Sequence, residues 1–198
     1  MASQTTLVDV DNDIEAICDY TYRQGWTDGL PVIPPTPERV RRLLDTVDRS
    51  PDEVIAQLPP LRADATIEKI AINGVMAGCK PEYMPTLIAA VEAITDPKLN
   101  LYALQATTGG PAVMIIINGP VRQQLNVNGG SNALGEGWRA NATIGRAYGL
   151  LSQNLQGGSV PGESYMGTLG NWFCYSAVFP ENEERSPWEP FHVQKGFE

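Results

Sequence analysis

Prolines cut this sequence into short segments, and their positions limit the fold more than any other feature. The segment TDGLPVIPP, residues 27–35, cannot be helical because Pro31, Pro34 and Pro35 impose extended backbone. Thr36-Pro37 is instead typical of a helix start, with a capping side chain followed by proline at the first helical position. The sixteen prolines and nineteen glycines predict many fixed turns and long ordered loops.

Apolar residues at intervals of three and four predict helices between these breaks. One helix carries Ile67, Ile70 and Val75 on its inner side, and Cys79 follows its end. A short helix is also expected after Pro120. The five main helices are predicted over residues 13–25, 37–47 and 66–78, from Pro81 or Pro85 to residue 94, and over residues 141–155.

Strands are expected in the second half of the chain. Residues 101–106 are predicted to form one strand, and residues 113–117 are apolar throughout, as is typical of a central strand covered on both faces. A late strand is predicted over residues 171–179. Residues 50–64, around Pro59-Pro60, are interpreted as a loop.

The whole chain, residues 1–198, is therefore predicted to form a single α/β or α+β domain. A small sheet containing residues 101–106 and 112–117 would be covered by about five helices. Residues 1–10 are expected to be a flexible tail. Residues 180–198 are rich in aromatic side chains and are expected to pack onto the body, where apolar surface would favour homo-oligomers or hetero-oligomers.

Charge and cysteine content narrow the classes of function. The net charge of −9 argues against binding to nucleic acid or to anionic membrane surfaces. No apolar run approaches the roughly 18 residues that span a bilayer, and the polar, acidic opening lacks a signal-peptide pattern. Three cysteines without a CxxC pattern fit reduced thiols. We expect a cytoplasmic protein.

Cys79 is the first candidate for chemistry. It lies in AGCKPEYMP, between the end of one helix and the start of the next, where a helix dipole and Lys80 would favour the nucleophilic thiolate. Glu82 is a nearby acid–base candidate. The alternatives are a buried filler for Cys79 and a first-turn acid for Glu82. Cys18 is interpreted as core, and Cys174 as core or pocket-facing.

The run QATTGGPAV, residues 105–113, joins the two predicted strands. Thr107 and Thr108 offer hydroxyl groups to a ligand, and Gly109 and Gly110 let backbone N–H groups approach it. A tight hairpin turn without a ligand is an equally good interpretation.

The most unusual stretch is NGGSNALGEGWRANATIGR, residues 128–146. A glycine-rich loop that enters a helix suits anions, although it matches no nucleotide-binding motif. Arg139 and Arg146 could hold a carboxylate or phosphate, and Asn141 could simply be the helix N-cap. The residues predicted to bind substrate here are Asn128, Gly130, Glu136, Arg139 and Asn141.

His192 is the only histidine, so any catalytic pair that needs imidazole must use it. Its place in the C-terminal tail favours ordinary packing or exposure. A single histidine also argues against a catalytic zinc site. We predict no metal site and assign no cofactor.

Several of these segments together resemble a family of bacterial proteins. The segments are TDGLPVIPP, ATIEKIAINGVMAGCKPEYMP, QATTGGP, INGP, GWRANATIGRA and SPWEPFHVQKGF, which span nearly the whole chain. The resemblance implies association with a small selenocysteine- or cysteine-containing protein named for its UGSC motif. It thus implies thiol or selenol redox chemistry, or a multi-subunit enzyme. Relatives carry histidine where Gly109 stands here, and their region around Cys174 is shorter.

The leading hypothesis is a small-molecule enzyme that uses the Cys79 thiolate in bond cleavage, as a lyase or hydrolase, or in a reductive step. A second is a non-catalytic or site-sharing subunit of a larger enzyme. A third is a module that binds a small anionic ligand.

Overall fold

Short helices are the main regular elements of the described chain, which comprises residues 5–156 and 177–197 of a computed structural model. The helices are α1 (Ile14–Arg23), α2 (Pro37–Leu44), α3 (Ile67–Ala77), α4 (Met84–Ile94), α5 (Leu101–Ala106), α6 (Val121–Gln124), α7 (Arg139–Leu151) and α8 (Phe191–Gln194). The strands are β1 (Val54–Leu58), β2 (Ala63–Thr66), β3 (Ile115–Ile117) and β4 (Val178–Pro180). The predicted mixed α/β class and single domain are confirmed.

Side-chain caps begin the first three helices, and the cap predicted at Thr36 is confirmed. Asp13 accepts a hydrogen bond from the Ala16 N–H, Thr36 from the Arg39 N–H, and Thr66 from the Lys69 N–H. Gly78 ends α3 in the left-handed conformation, with φ of +90°, which glycine adopts without steric cost. The predicted helices at these positions, after Pro81, after Pro120 and over residues 141–155 are confirmed.

Helix α3 lies at the centre of the core, where it packs against α2, α4 and α7. The contact is close at Gly74, because a Cβ atom there would lie 2.9 Å from Leu87 Cδ1 and 3.0 Å from Leu43 Cδ2. The largest fully buried side chains are Leu58, Ile67, Met84, Ile144, Leu150, Val178 and Asn141. Asn141 is the polar residue of this set, and Asn73, Thr66 and Ser152 are buried as well.

The loop predicted over residues 50–64 is wrong. Strands β1 and β2 form an antiparallel hairpin there, in which Leu58 pairs with Ala63 across the turn that contains Pro59-Pro60. The two prolines lie between the strands. Inside a strand they would remove hydrogen bonds of the ladder, because proline has no backbone N–H. They therefore mark the turn of a hairpin and not a structureless connection.

The predicted sheet is also wrong. Residues 101–106 form helix α5, in keeping with the helix-forming Leu, Ala and Gln of this segment. Strand β3 pairs in parallel with β4 instead, and it is not covered on both faces, because Ile116 is 51 % exposed. The predicted late strand over residues 171–179 lies largely outside the described residues, and β4 covers its end.

The two ends of the chain only partly follow prediction. Residues 1–4 lie outside the described residues, and the Thr5 hydroxyl donates to Glu68 Oε2 at 2.6 Å. The C-terminal segment is attached to the body, but its aromatic rings are not buried, since Trp188 is 75 % and Phe197 69 % exposed. Among the described helices, none has the length and apolar character needed to cross a membrane.

Candidate functional site

Cys79 is buried behind the end of α3, with 7 % of its surface exposed. Its S–H group donates to the Thr143 carbonyl of α7 at 3.3 Å. Burial raises the pKa of the thiol to about 12, and the charge of Arg139 offsets this only in part. The predicted exposed thiolate is therefore wrong. The helical turn that follows, Pro81–Tyr83, continues directly into α4 at Met84.

Glu82 does not assist this thiol in the structure. It is exposed and forms an ion pair with Lys80, whose Nζ lies 3.5 Å from Glu82 Oε1. Both charged side chains are exposed whereas the sulfur is buried, and the first-turn interpretation of Glu82 fits better. Cys18 is half-buried, and Cys174 lies outside the described residues.

The Thr107–Gly110 segment follows helix α5 and does not connect two strands as predicted. Thr107 Oγ1 accepts the Gly109 N–H at 3.1 Å, which closes a local turn. Thr107, Thr108 and Gly109 are exposed, and Gly110 is half-buried. No hydrogen bond between described residues joins this segment to the Asn128–Ser131 loop, so the structure does not bring these two predicted ligand segments together.

Two arginines predicted to bind anions bind the protein's own backbone and side chains. Arg139 donates through Nε and Nη2 to the Gly78 carbonyl, at 3.1 and 2.9 Å. Arg146 forms a bidentate pair with Asp28, at 2.8 and 2.9 Å, and donates to the Pro31 carbonyl. Arg139 thus stabilises the end of α3, whereas Arg146 fixes the TDGLPV segment.

Asn141 is not the N-cap of α7, since Trp138 occupies that position. Its buried amide lies within the helix and binds three backbone segments. Oδ1 accepts the Asn128 N–H at 2.9 Å, while Nδ2 donates to the carbonyls of Asn128, Ala133 and Val178 at 3.0, 3.2 and 2.9 Å. Asn141 therefore fixes the glycine-rich loop and strand β4 to the same helix.

The Asn128–Ser131 loop is further shaped by its own first residue. Asn128 Oδ1 accepts the Gly130 N–H, and Asn128 Nδ2 donates to the Ser131 carbonyl, each at 2.9 Å. Gly129 packs directly on Pro180, where an added Cβ atom would lie 2.7 Å from Pro180 Cγ. Glu136 stays exposed, and only its carbonyl takes part, accepting from Asn132 Nδ2.

A cleft of about 300 Å³ separates this loop from the residues after β4. Gly129, Gly130 and Ser131 line one wall, and Asn182 and Arg185 line the other. Of the residues predicted to bind substrate, Gly130 lines this cleft and Asn128 and Asn141 shape its wall. The predicted residues of the Thr107–Gly110 segment, Glu136, Arg139, Cys79 and Glu82 are not among its lining residues.

Arg122 joins the cleft to a cluster of carboxylates that the sequence did not reveal. Its guanidinium makes a bidentate pair with Glu184, at 2.9 and 2.7 Å, and donates to Glu183 Oε2 at 2.9 Å. The hydrogen bond from Arg122 lowers the pKa of Glu184 to about 2. Burial alone would raise the pKa of Glu183, but hydrogen bonds from Arg122 and the Gly119 N–H lower it on balance. Both carboxylates are thus ionised at neutral pH.

The remaining acid of the cleft, Glu181, attaches the C-terminal segment. Asn118 Nδ2 donates to Glu181 Oε2, and the Phe191 N–H donates to the same oxygen at 3.0 Å. His192 follows at once, with Nδ1 3.5 Å from Glu183 Oε1 and its ring against Gly119. The only histidine therefore packs against a carboxylate, where the sequence favoured mere packing or exposure.

The partners in this cluster lie about sixty positions apart in the sequence, between Asn118–Gln123 and Glu181–His192. No local spacing could predict them. The signal that was available is the acidic run ENEE, residues 181–184, which stands near an apolar segment and before the SPWEPFHV motif. The parallel pairing of β3 with β4 brings that run beside the INGP turn.

Metal ligands do not cluster in the part of the chain that the structure describes, where no group of three or more His, Cys, Asp or Glu residues could hold an ion.

Protein-family models, curated proteins and solved structures were compared with the chain, and none matches it. The family resemblance and the partner that it implies stay predictions.

Proposed function

We propose that this chain binds a small molecule with a carboxylate or phosphate group in the cleft between the Asn128–Ser131 loop and the residues after β4. The volume of about 300 Å³ lies at the small end of known ligand sites. The observation that carries the proposal is the exposed guanidinium of Arg185, which lines the cleft and forms no ion pair with any residue in 5–156 or 177–197.

The charged lining residues are two arginines, Arg122 and Arg185, and two glutamates, Glu181 and Glu184. Glu184 shares the single charge of Arg122 with Glu183 and also accepts from Gln123 Nε2 at 2.6 Å. The oxygen Oε2 of Glu181 already accepts two hydrogen bonds. Arg185 is the lining arginine that forms no ion pair among the described residues, and its guanidinium is well suited to bidentate binding of carboxylate or phosphate.

The opposite wall supplies uncharged donors. The hydroxyl of Ser131 and the N–H groups of Gly129 and Ser131 donate to no acceptor among the described residues. A small anion between them and Arg185 would receive hydrogen bonds from both walls. Backbone N–H groups in glycine-rich turns are common anion ligands.

The proposal corresponds to the third sequence hypothesis and is compatible with the second, in which the chain contributes a binding site to a larger enzyme. The hypothesis of a cysteine-dependent enzyme stays a prediction. Cys79 would serve it only after a rearrangement that exposes the sulfur, since burial keeps the thiol protonated.

Nuclear magnetic resonance titration with succinate in one arm and inorganic phosphate in the other tests the proposal. Either anion should shift the amide signals of Gly129, Gly130 and Ser131, and the arm that binds more tightly identifies the anion class. Arg185→Gln should weaken binding by about ten- to a hundredfold, the usual effect of a charged hydrogen bond. Arg41→Gln removes an exposed arginine on α2 and is the matched control. Unshifted loop signals in both arms, or equal affinity in the two variants, would overturn the proposal.

A further inference from the structure

Two neighbouring apolar surfaces are exposed among the residues that the structure describes. The first is the outer side of the β3–β4 pair, where Met114 is 58 % and Ile116 51 % exposed while Ile117 and Val178 point into the core. Parallel strands are normally covered on both faces. The second is the C-terminal segment, residues 186–197, which exposes Trp188, Phe191, Val193 and Phe197.

The C-terminal segment is held with its apolar side chains outward. Glu181 accepts the Phe191 N–H, His192 lies beside Glu183, and Gln194 Nε2 donates to the Glu189 carbonyl at 2.7 Å. The contacts of Phe191 and His192 thus attach the segment to the body, and that of Gln194 closes the segment on itself. A segment that served only the core of its own chain would bury its rings, so this attachment presents them to a partner.

Glu181 also makes the two surfaces neighbours. Its N–H donates to the Ile117 carbonyl at the end of β3, at 3.0 Å, while its side chain holds the start of α8. We propose that this combined surface is the interface between two copies of this chain.

Charge favours a second copy at this place. The whole chain carries a net charge of −9, so two copies repel each other over most of their surface. Residues 186–197 contain one Glu, one Lys and the neutral His192, and so carry no formal net charge. In a two-fold contact each segment meets its own copy, and Lys195 of one chain can approach Glu189 of the other.

The area is adequate for a dimer. Aromatic side chains bury about 150–250 Å² each, so Trp188, Phe191 and Phe197, with Met114 and Ile116, supply roughly 500 Å². A stable interface buries about 800 Å² on each partner. Polar atoms around the rings would provide the remainder, as the rim of an interface commonly does.

Sedimentation equilibrium of the full chain, over about 5 to 200 µM, tests the dimer. The wild-type chain should sediment at twice its 21.5 kDa. The double variant Trp188→Ser, Phe197→Ser should weaken association at least about tenfold, since exposed aromatic residues dominate interfaces. Leu61→Ser removes an equally exposed apolar residue, 71 % exposed in the β1–β2 turn, and should have no effect.

Far-UV circular dichroism identifies a double variant that fails to fold, and Phe197→Glu then replaces it. That variant should dissociate the dimer by placing like charges together. A monomeric wild-type chain at the highest concentration, or a dimer that survives folded interface variants, would overturn the proposal. Succinate and phosphate binding in the Arg185 cleft is measured on the same samples, so that loss of the dimer and loss of the ligand site are told apart.

Discussion

The junction at Cys79 and the pair of Arg122 and Glu183 both contain polar side chains with little exposure, but these are stabilised by different means. At Cys79, helix packing removes water from a thiol that keeps its proton and donates a single hydrogen bond. Around Arg122, opposite charges hold one another through several hydrogen bonds. Desolvation thus favours the neutral form in one region, whereas a charged partner favours the ionised form in the other.

The two regions also differ in whether they form part of the candidate site. The residue with the strongest chemical signature in the sequence lies in the region that excludes ligands. The charged region contains the cleft, and its key residues are ordinary Glu and Arg side chains in the sequence. The reactivity of a cysteine depends on its burial and on neighbouring charges, and these cannot be inferred from the residue type alone.

The largest expected effect is a difference in thiol reactivity. In a Cys174→Ser background, only Cys18 and Cys79 remain. At neutral pH a thiol with a pKa of about 12 has roughly a thousandfold less thiolate than one at the ordinary value of 9.0, so iodoacetamide should leave Cys79 unmodified while Cys18 reacts. Mass spectrometry measures the ratio, and urea should equalise the two rates. Equal native rates would reopen the cysteine-dependent hypothesis.

Asn141→Ala should cause the next largest change. It removes four hydrogen bonds to buried backbone groups, and the lost partners should lower the free energy of unfolding by about 3 kcal/mol. Urea denaturation measures the loss. Gln24→Ala, at an exposed amide near the end of α1, serves as the control, and equal stability of the two variants would contradict the assigned role of Asn141.

Arg122→Gln should have an intermediate effect that depends on pH. Because the folded pKa values of Glu183 and Glu184 are lowered, their contribution is complete above about pH 4.5 and is lost as the pH falls towards 2. At pH 7 the variant should lose about 2 kcal/mol, chiefly from the buried Glu183 pair. The difference between wild type and variant should shrink in acid, as chemical denaturation at pH 7 and pH 3 will measure. A difference that stays constant would exclude this linkage.

Glu82→Gln should have the smallest effect. Its ion pair with Lys80 is exposed at 3.5 Å, and such pairs contribute less than about 0.5 kcal/mol. Thermal unfolding in low salt measures the change. A loss comparable with that of Arg122→Gln would mean that the junction, too, depends on charge.

Local signals in the sequence predicted local structure well. Capping residues and apolar spacing predicted α1, α2 and α3, and the run after Pro120 predicted α6. The hairpin at Pro59-Pro60 was missed because a double proline was taken for a break between elements rather than for a turn. Helix α5 was missed because its apolar residues also fit a strand.

The candidate site was only half predictable. The glycine-rich loop from Asn128 to Ser131 has a distinctive composition, and it does line the cleft. Its opposite wall depends on contacts between Arg122 and Glu183 or Glu184, which are about sixty positions away. Only the pairing of β3 with β4 makes these residues neighbours, and three-residue strands have weak sequence signatures.

The Asn141 side chain hydrogen-bonds to both Asn128 and Val178. Helix α7 therefore holds the loop on one side of the cleft and strand β4, which leads to the other side. Neither the loop nor β4 can move away from α7 without breaking the hydrogen bonds of Asn141. A ligand would therefore bind in a cleft whose shape is already formed. Its affinity would depend on how well it fits this shape, because the cleft would not close around it. Discrimination among ligands would then depend on their size.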